Sequence, residues 1–335
     1  MKKINTKEIE LQWESLAQKA MSGECLTLKE GLSVLEADHD QLLPLMQAAF
    51  KVRKHFYGIK VKLNMIINAK SGLCPEDCGY CSQSIVSTAP VKKYTLLDKD
   101  TLLAGAREAM NRKAGTYCIV AAGKGPTDKE LDQVVSAVKE IRETMPLKIC
   151  ACLGILKEDQ AKRLADAGVQ RYNHNLNTSK GNYPSITTTH TYDQRIETVK
   201  KVKVSGMSPC SGVIIGMGET NHEIVEMAFS LRELDADSIP VNFLNAIPGT
   251  PLEHMGRTPA MKALKVLALF RLLCPAKEIR VAGGREVNLR TLQPLALYAA
   301  NSIFVGDYLT TEGQDVSDDH YMIEDLGFEI ELNAL

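Results

Sequence analysis

Along most of its length the chain alternates short runs dense in apolar and β-branched residues with longer stretches whose apolar positions recur every three or four residues. The short runs predict strands and the longer stretches amphipathic helices, a rhythm that belongs to repeated βα units and a parallel sheet. Eight strands are predicted, over residues 62–69, 116–122, 148–154, 171–177, 209–216, 238–245, 278–283 and 302–306. Helical patterns fill the gaps. Residues 158–168, for instance, run through good helix formers to a glycine suited to a C-terminal cap, just before the next strand. Eight such units predict an α/β fold, a closed (βα)8 barrel of the TIM type. The rival is an open doubly wound sheet, but no glycine-rich dinucleotide or phosphate-loop fingerprint follows the first strand. Residues 1–60 predict a helical extension, leaving 61–335 as one barrel domain.

Composition narrows the function. The 335 residues are 44% hydrophobic with a formal net charge of −1, so there is no basic excess to hold nucleic acid, and a small-molecule substrate fits better. The most apolar helical stretch, 261–274, is interrupted by Lys262, Lys265 and Arg271, which makes it too short and too charged to cross a membrane. Nine cysteines are an odd number, and the first residues lead into no apolar signal core. A disulfide framework is therefore not expected, and a reducing, cytoplasmic setting is.

Three of those cysteines are packed into Cys74-Pro-Glu-Asp-Cys78-Gly-Tyr-Cys81, directly after the first predicted strand. Cysteine is also a common small buried hydrophobe and a zinc ligand, but zinc sites usually come as paired C-x2-C knuckles, and none follows here. A cubane iron–sulfur cluster normally takes four thiolates, so three would leave one iron free to bind and activate a small molecule. On a barrel, the loop after a strand is where active-site groups belong. Four more cysteines fall inside predicted strands: Cys118 in the second, Cys150 and Cys152 in the third, Cys210 in the fifth, whereas Cys25 and Cys274 do not. Alternation along a strand puts Cys150 and Cys152 on one face. Arg280 lies in the seventh predicted strand, where burial would demand partners that an anionic cluster could supply.

Over nearly its whole length the chain resembles the biotin synthase family of the radical S-adenosylmethionine (SAM) superfamily. The resemblance is carried by Gly72-Leu-Cys-Pro-Glu-Asp-Cys-Gly-Tyr-Cys-Ser-Gln-Ser84, Tyr172-Asn-His-Asn-Leu176, Cys210-Ser-Gly, Pro240-Val-Asn242, Gly284-Arg-Glu and Ala300-Asn-Ser-Ile-Phe304. It implies that Cys74, Cys78 and Cys81 hold a [4Fe-4S] cluster whose fourth iron chelates SAM. One electron would then release a 5′-deoxyadenosyl radical able to take hydrogen from an unactivated carbon. The substrate implied is dethiobiotin. Cys118, Cys150, Cys210 and Arg280 would hold an auxiliary cluster that donates a sulfide to make biotin, with two SAM molecules consumed per product. The resemblance further implies Tyr80 beside the adenine, Asn175 and Asn177 at the ribose or substrate, Arg195 at the SAM carboxylate and Asn242 at the ureido ring of dethiobiotin. A flavodoxin or ferredoxin as electron donor and a homodimer are also family expectations.

Two positions depart from the family pattern. Asn177 stands where the motif is associated with aspartate, which keeps an acceptor but removes a charge. Cys152 is an additional cysteine, expected as an extra ligand that would permit a four-iron auxiliary cluster in place of the family's [2Fe-2S] form. Two rival functions remain at the level of sequence: another radical SAM enzyme, such as a lipoyl-type sulfur inserter or a mutase, and a non-catalytic iron–sulfur or zinc-binding module. Lipoyl synthases carry an additional N-terminal cysteine cluster, and here only Cys25 precedes the triad.

Overall fold

The computed structural model describes residues 6–332. Its centre is a ring of parallel strands: β1 (Lys60–Lys70), β2 (Thr116–Ala121), β3 (Lys148–Cys152), β4 (Arg171–Asn173), β5 (Ser208–Cys210), β6 (Val213–Ile215), β7 (Ser238–Phe243), β8 (Glu278–Val281) and β9 (Ser302–Phe304). The ring closes because β1 pairs with β2 through Asn64–Lys70 and with β9 through Lys62–Asn64. Closure leaves no free sheet edge. A tenth strand, β10 (Glu329–Ile330), extends β1 outside the ring at Lys60 and Val61.

The fifth predicted strand, 209–216, is broken into two. Its first half, β5, pairs with β4, and its second half, β6, pairs with β7, so together they fill one place in the ring. The cause is Gly212, where an added Cβ would lie 1.9 Å from the Pro240 carbonyl oxygen. Two backbones meet there more closely than any other residue allows. The fourth predicted strand also stops early, at Asn173. Four residues on, Asn177 takes a left-handed conformation with φ of 69°, which asparagine tolerates better than most residues.

Helices α1 (Thr6–Met21), α2 (Leu28–Glu36) and α3 (Leu42–Tyr57) precede the ring. Outside it lie α4 (Lys99–Asn111), α5 (Asp128–Thr144), α6 (Glu158–Asp166), α7 (Tyr183–Ile186), α8 (Tyr192–Val204), α9 (Asn221–Glu233), α10 (Ala260–Leu273), α11 (Arg285–Leu289), α12 (Gln293–Ala296) and α13 (Val316–Asp325). Helices α2, α5, α8 and α9 begin with a threonine whose hydroxyl accepts from the backbone three residues on, while a Glu or Gln there reaches back. This reciprocal cap marks where each helix starts. The apolar stretch near 261–274 is α10, sheathed by α1, α2, α3 and α9 and buried from Ala263 to Leu273 except for Lys265. No helix among the described residues is long and apolar enough to cross a membrane.

Candidate active site

A cavity of about 400 Å³ opens at the C-terminal ends of the strands and is lined by Cys74, Cys78 and Cys81 and by the strand cysteines Cys118, Cys150 and Cys152, whereas Cys210 is not part of the lining. The triad lies in an irregular loop after β1. Its shape is set by backbone bonds from Cys81 N to the Cys78 carbonyl (3.1 Å), from Gly79 N to the Ile186 carbonyl (2.9 Å) and from Ile85 N to the Glu76 carbonyl (2.9 Å). Asp77 clamps the loop to the segment before α8, accepting from the hydroxyl of Thr187 (2.6 Å) and from the amides of Thr188 (3.0 Å) and Thr189 (3.2 Å). Against burial, which raises it, the hydroxyls of Thr187 and Thr188 and the Thr188 amide hold its carboxyl well below the usual carboxylate range.

Deeper in the barrel, the register sets Cys118 of β2 beside Cys150 of β3. Cys150 and Cys210 of β5 lie near enough to shift each other's thiol, so thiols from three strands are neighbours here. Cys118, Cys150 and Cys152 all line the cavity, so Cys150 and Cys152 do face the same way. Burial pushes the thiols of Cys81 and Cys152 up to about 12 and raises those of Cys74 and Cys78. These are thiols that need cations beside them before they can serve as thiolates, and cluster iron supplies such charge. Among the described residues no three His, Cys, Asp or Glu side chains converge closely enough to hold a single metal ion.

Charge at the floor comes from β8. Arg280, 1% exposed, donates to Glu278 (2.6 Å), Ser238 (3.2 Å) and Ser302 (3.1 Å) and lies over the Phe304 ring at 4.8 Å. Glu278 also takes Arg171 at 3.1 Å and Lys62 at 3.5 Å. Though burial alone would raise it, those cations hold the Glu278 carboxyl well below the usual range.

Comparison with known proteins joins this geometry to a lineage. Residues 70–231 match the model of the Radical SAM superfamily, and residues 240–329 that of the Biotin and Thiamin Synthesis associated domain. The chain is 70% identical over 329 residues to the biotin synthase of Bacillus pumilus (98% of this chain, 99% of that one). It is 63% identical over 320 residues to that of Bacillus subtilis strain 168, covering 96% of each. The chain belongs to the biotin synthase family. Solved structures share the fold at low identity: methylornithine synthase superposes with a TM-score of 0.83 at 19% identity, covering 95% of this chain and 98% of that one. The [FeFe]-hydrogenase maturase HydG of Carboxydothermus hydrogenoformans gives 0.80 at 18%, covering 98% and 80%.

The other positions singled out by family resemblance also line the cavity: Tyr80, Asn175, Asn177, Arg195 and Asn242. Asn177 donates to the Tyr80 hydroxyl at 2.7 Å, which fixes the ring at the mouth. Asn242 donates to the Val213 carbonyl and accepts from Gly283 N, both at 3.0 Å, so one N–H and one lone pair of its amide remain for a ligand. Arg195 donates to the Tyr183 hydroxyl, to the Asn175 carbonyl at 3.0 Å and to His190 Nε2 at 2.6 Å. Within this biotin synthase fold, sequence reasoning missed Asn173, which bridges Asn175 (2.9 Å) and the Cys210 sulfur (3.2 Å). Its position inside the Tyr172–Leu176 motif was the available signal. It also missed Glu76, His190, Arg171 and Glu278, whose contacts span distant parts of the chain.

Proposed function

We propose that this chain converts dethiobiotin to biotin, with SAM bound over the Cys74, Cys78 and Cys81 triad and the sulfur drawn from an auxiliary cluster on Cys118, Cys150 and Cys210. The observation that carries the reading is one cavity lined both by the triad and by the strand thiols Cys118, Cys150 and Cys152. When bound, the triad's cluster supplies the electron that cleaves the SAM sulfonium bond and yields a 5′-deoxyadenosyl radical. The protein's own part is positional. Arg195, facing the cavity with no carboxylate partner among the described residues, suits the SAM carboxylate. Tyr80 offers its ring to the adenine, Asn175 and Asn177 their amides to the ribose or substrate, and Asn242 its remaining donor and acceptor to the ureido ring. Enclosure of the cavity by the barrel keeps water from a radical. A flavodoxin or ferredoxin supplies the electron, and the working form is a cytoplasmic homodimer.

The fourth auxiliary ligand in this reading is Cys152 and not Arg280. A guanidinium must give up a proton to lend a lone pair, and Glu278 at 2.6 Å stabilises the protonated form of Arg280. Cys152 has no such commitment and faces the cavity one pleat above Cys150. Four thiolates favour a four-iron auxiliary cluster.

Anaerobically reconstituted protein given SAM, a reductant and dethiobiotin is expected to form biotin and 5′-deoxyadenosine. Absence of 5′-deoxyadenosine with an intact reduced cluster counts against any radical enzyme. 5′-Deoxyadenosine without biotin points to another radical SAM reaction. Mössbauer spectra and iron counts of Cys152→Ala decide the ligand set: an auxiliary cluster identical to that of the parent returns the role to Arg280.

A further inference from the structure

Two arginines line the cavity. Arg280 is paired with Glu278, whereas Arg195 is held by three neutral partners, the Tyr183 hydroxyl, the Asn175 carbonyl and the His190 ring. A guanidinium only donates, so His190 Nε2 must carry the lone pair that accepts from Arg195, and the ring proton must sit on Nδ1. Nδ1 lies 2.6 Å from Glu76 Oε2. The two groups are 5% and 6% exposed, and the Thr189 hydroxyl fixes the same Glu76 oxygen at 2.8 Å. A carboxylate, a neutral imidazole and a guanidinium therefore stand in line from the cysteine loop to the cavity wall.

We propose that Glu76 and His190 are positioning residues for the SAM carboxylate, acting through Arg195; this rests on the SAM reading of the cavity. A glutamate placed directly on Arg195 would fill the fork and repel an incoming carboxylate. With an imidazole interposed, the negative charge offsets the desolvation of the guanidinium from one hydrogen bond further away. The fork keeps N–H groups of Nη1 and Nη2 for a ligand, since only three of the five donors are taken. Glu76 sits between Cys74 and Cys78, so the order of the cysteine loop is passed to the group that receives SAM. Anion recognition and cluster binding are coupled through a single side-chain relay.

The test compares SAM with its decarboxylated analogue, S-adenosyl-3-methylthiopropylamine, in binding to anaerobically reconstituted full-length protein. Wild type is expected to prefer SAM. In His190→Ala and His190→Leu that preference falls by about tenfold or more, through weaker SAM binding alone, at unchanged iron content. His190→Gln, whose amide can donate to Glu76 and accept from Arg195, holds the preference within about threefold. The proposal is judged on whichever of the Ala and Leu variants keeps its iron. It is overturned if the preference is unmoved there, if Gln is as poor as Ala or Leu, or if both of these lose the cluster, which would make His190 a structural support. A wild-type protein without preference for SAM sinks the reading of the cavity itself.

Discussion

Glu278 is an electrostatic hub of the site, one buried carboxylate balancing Arg171, Arg280 and Lys62. Its carboxyl is held below the ordinary glutamate value of 4.5, so the folded protein resists a proton that the unfolded chain accepts. The stabilisation is complete at neutral pH and is lost as the pH falls below about 4.5. Glu278→Gln is expected to cost about 3–5 kcal/mol at pH 7, because it leaves buried guanidinium charge uncompensated. Denaturant melts at pH 7 and pH 4 check both statements: the gap between parent and variant should narrow at the lower pH. In the sequence Glu278 read as one more residue of a predicted strand. Nothing local announced that Arg171, 107 positions earlier, would meet it across the barrel.

At the scale of elements, strands and helices were legible because each needs only its own periodicity, and all eight predicted strands have a counterpart in the ring. The break between β5 and β6 was not, because it depends on the Pro240 carbonyl of another strand. The two-residue β10 was also missed, being too short to show a period. The cysteine loop has no periodicity at all, and its shape comes from the Asp77 clamp on residues 187–189. Asp77→Ala is therefore expected to leave the barrel folded while loosening the triad. Chelator-driven loss of the triad's iron should accelerate by about 10–100-fold, as for the loss of other groups that orient metal ligands. Iron release followed by absorbance, with circular dichroism as a control for folding, measures this.

The whole molecule has two unlike ends. Opposite the cavity mouth, Arg53 of α3 donates to the carbonyls of Lys60 (2.9 Å) and Ala300 (3.1 Å), and Arg271 of α10 to those of Ala299 (2.8 Å), Pro275 (2.8 Å) and Lys277 (2.9 Å) and to the Asn301 side chain (2.7 Å). Both arginines are 0% exposed. They satisfy backbone groups where β1, β8 and β9 begin, and so close the N-terminal end of the barrel with α3 and α10 laid across it. Arg271→Met would take their Arg271 donor from two buried carbonyls, those of Ala299 and Pro275, at about 1–3 kcal/mol each. The melting temperature should fall by about 5 °C or more, while 5′-deoxyadenosine formed per folded molecule stays at the parental value. Sequence alone marked Arg271 only as a charge that spoils a membrane span; its role depends on a fold that brings 271 to 299–301.

The triad and the strand thiols Cys118, Cys150 and Cys152 line one and the same cavity. On the reading proposed above, the sulfur that restocks the auxiliary cluster would travel through the space that substrate and product occupy. Repair and catalysis would then have to take turns, as in a cartridge that is emptied and cleared before it is reloaded.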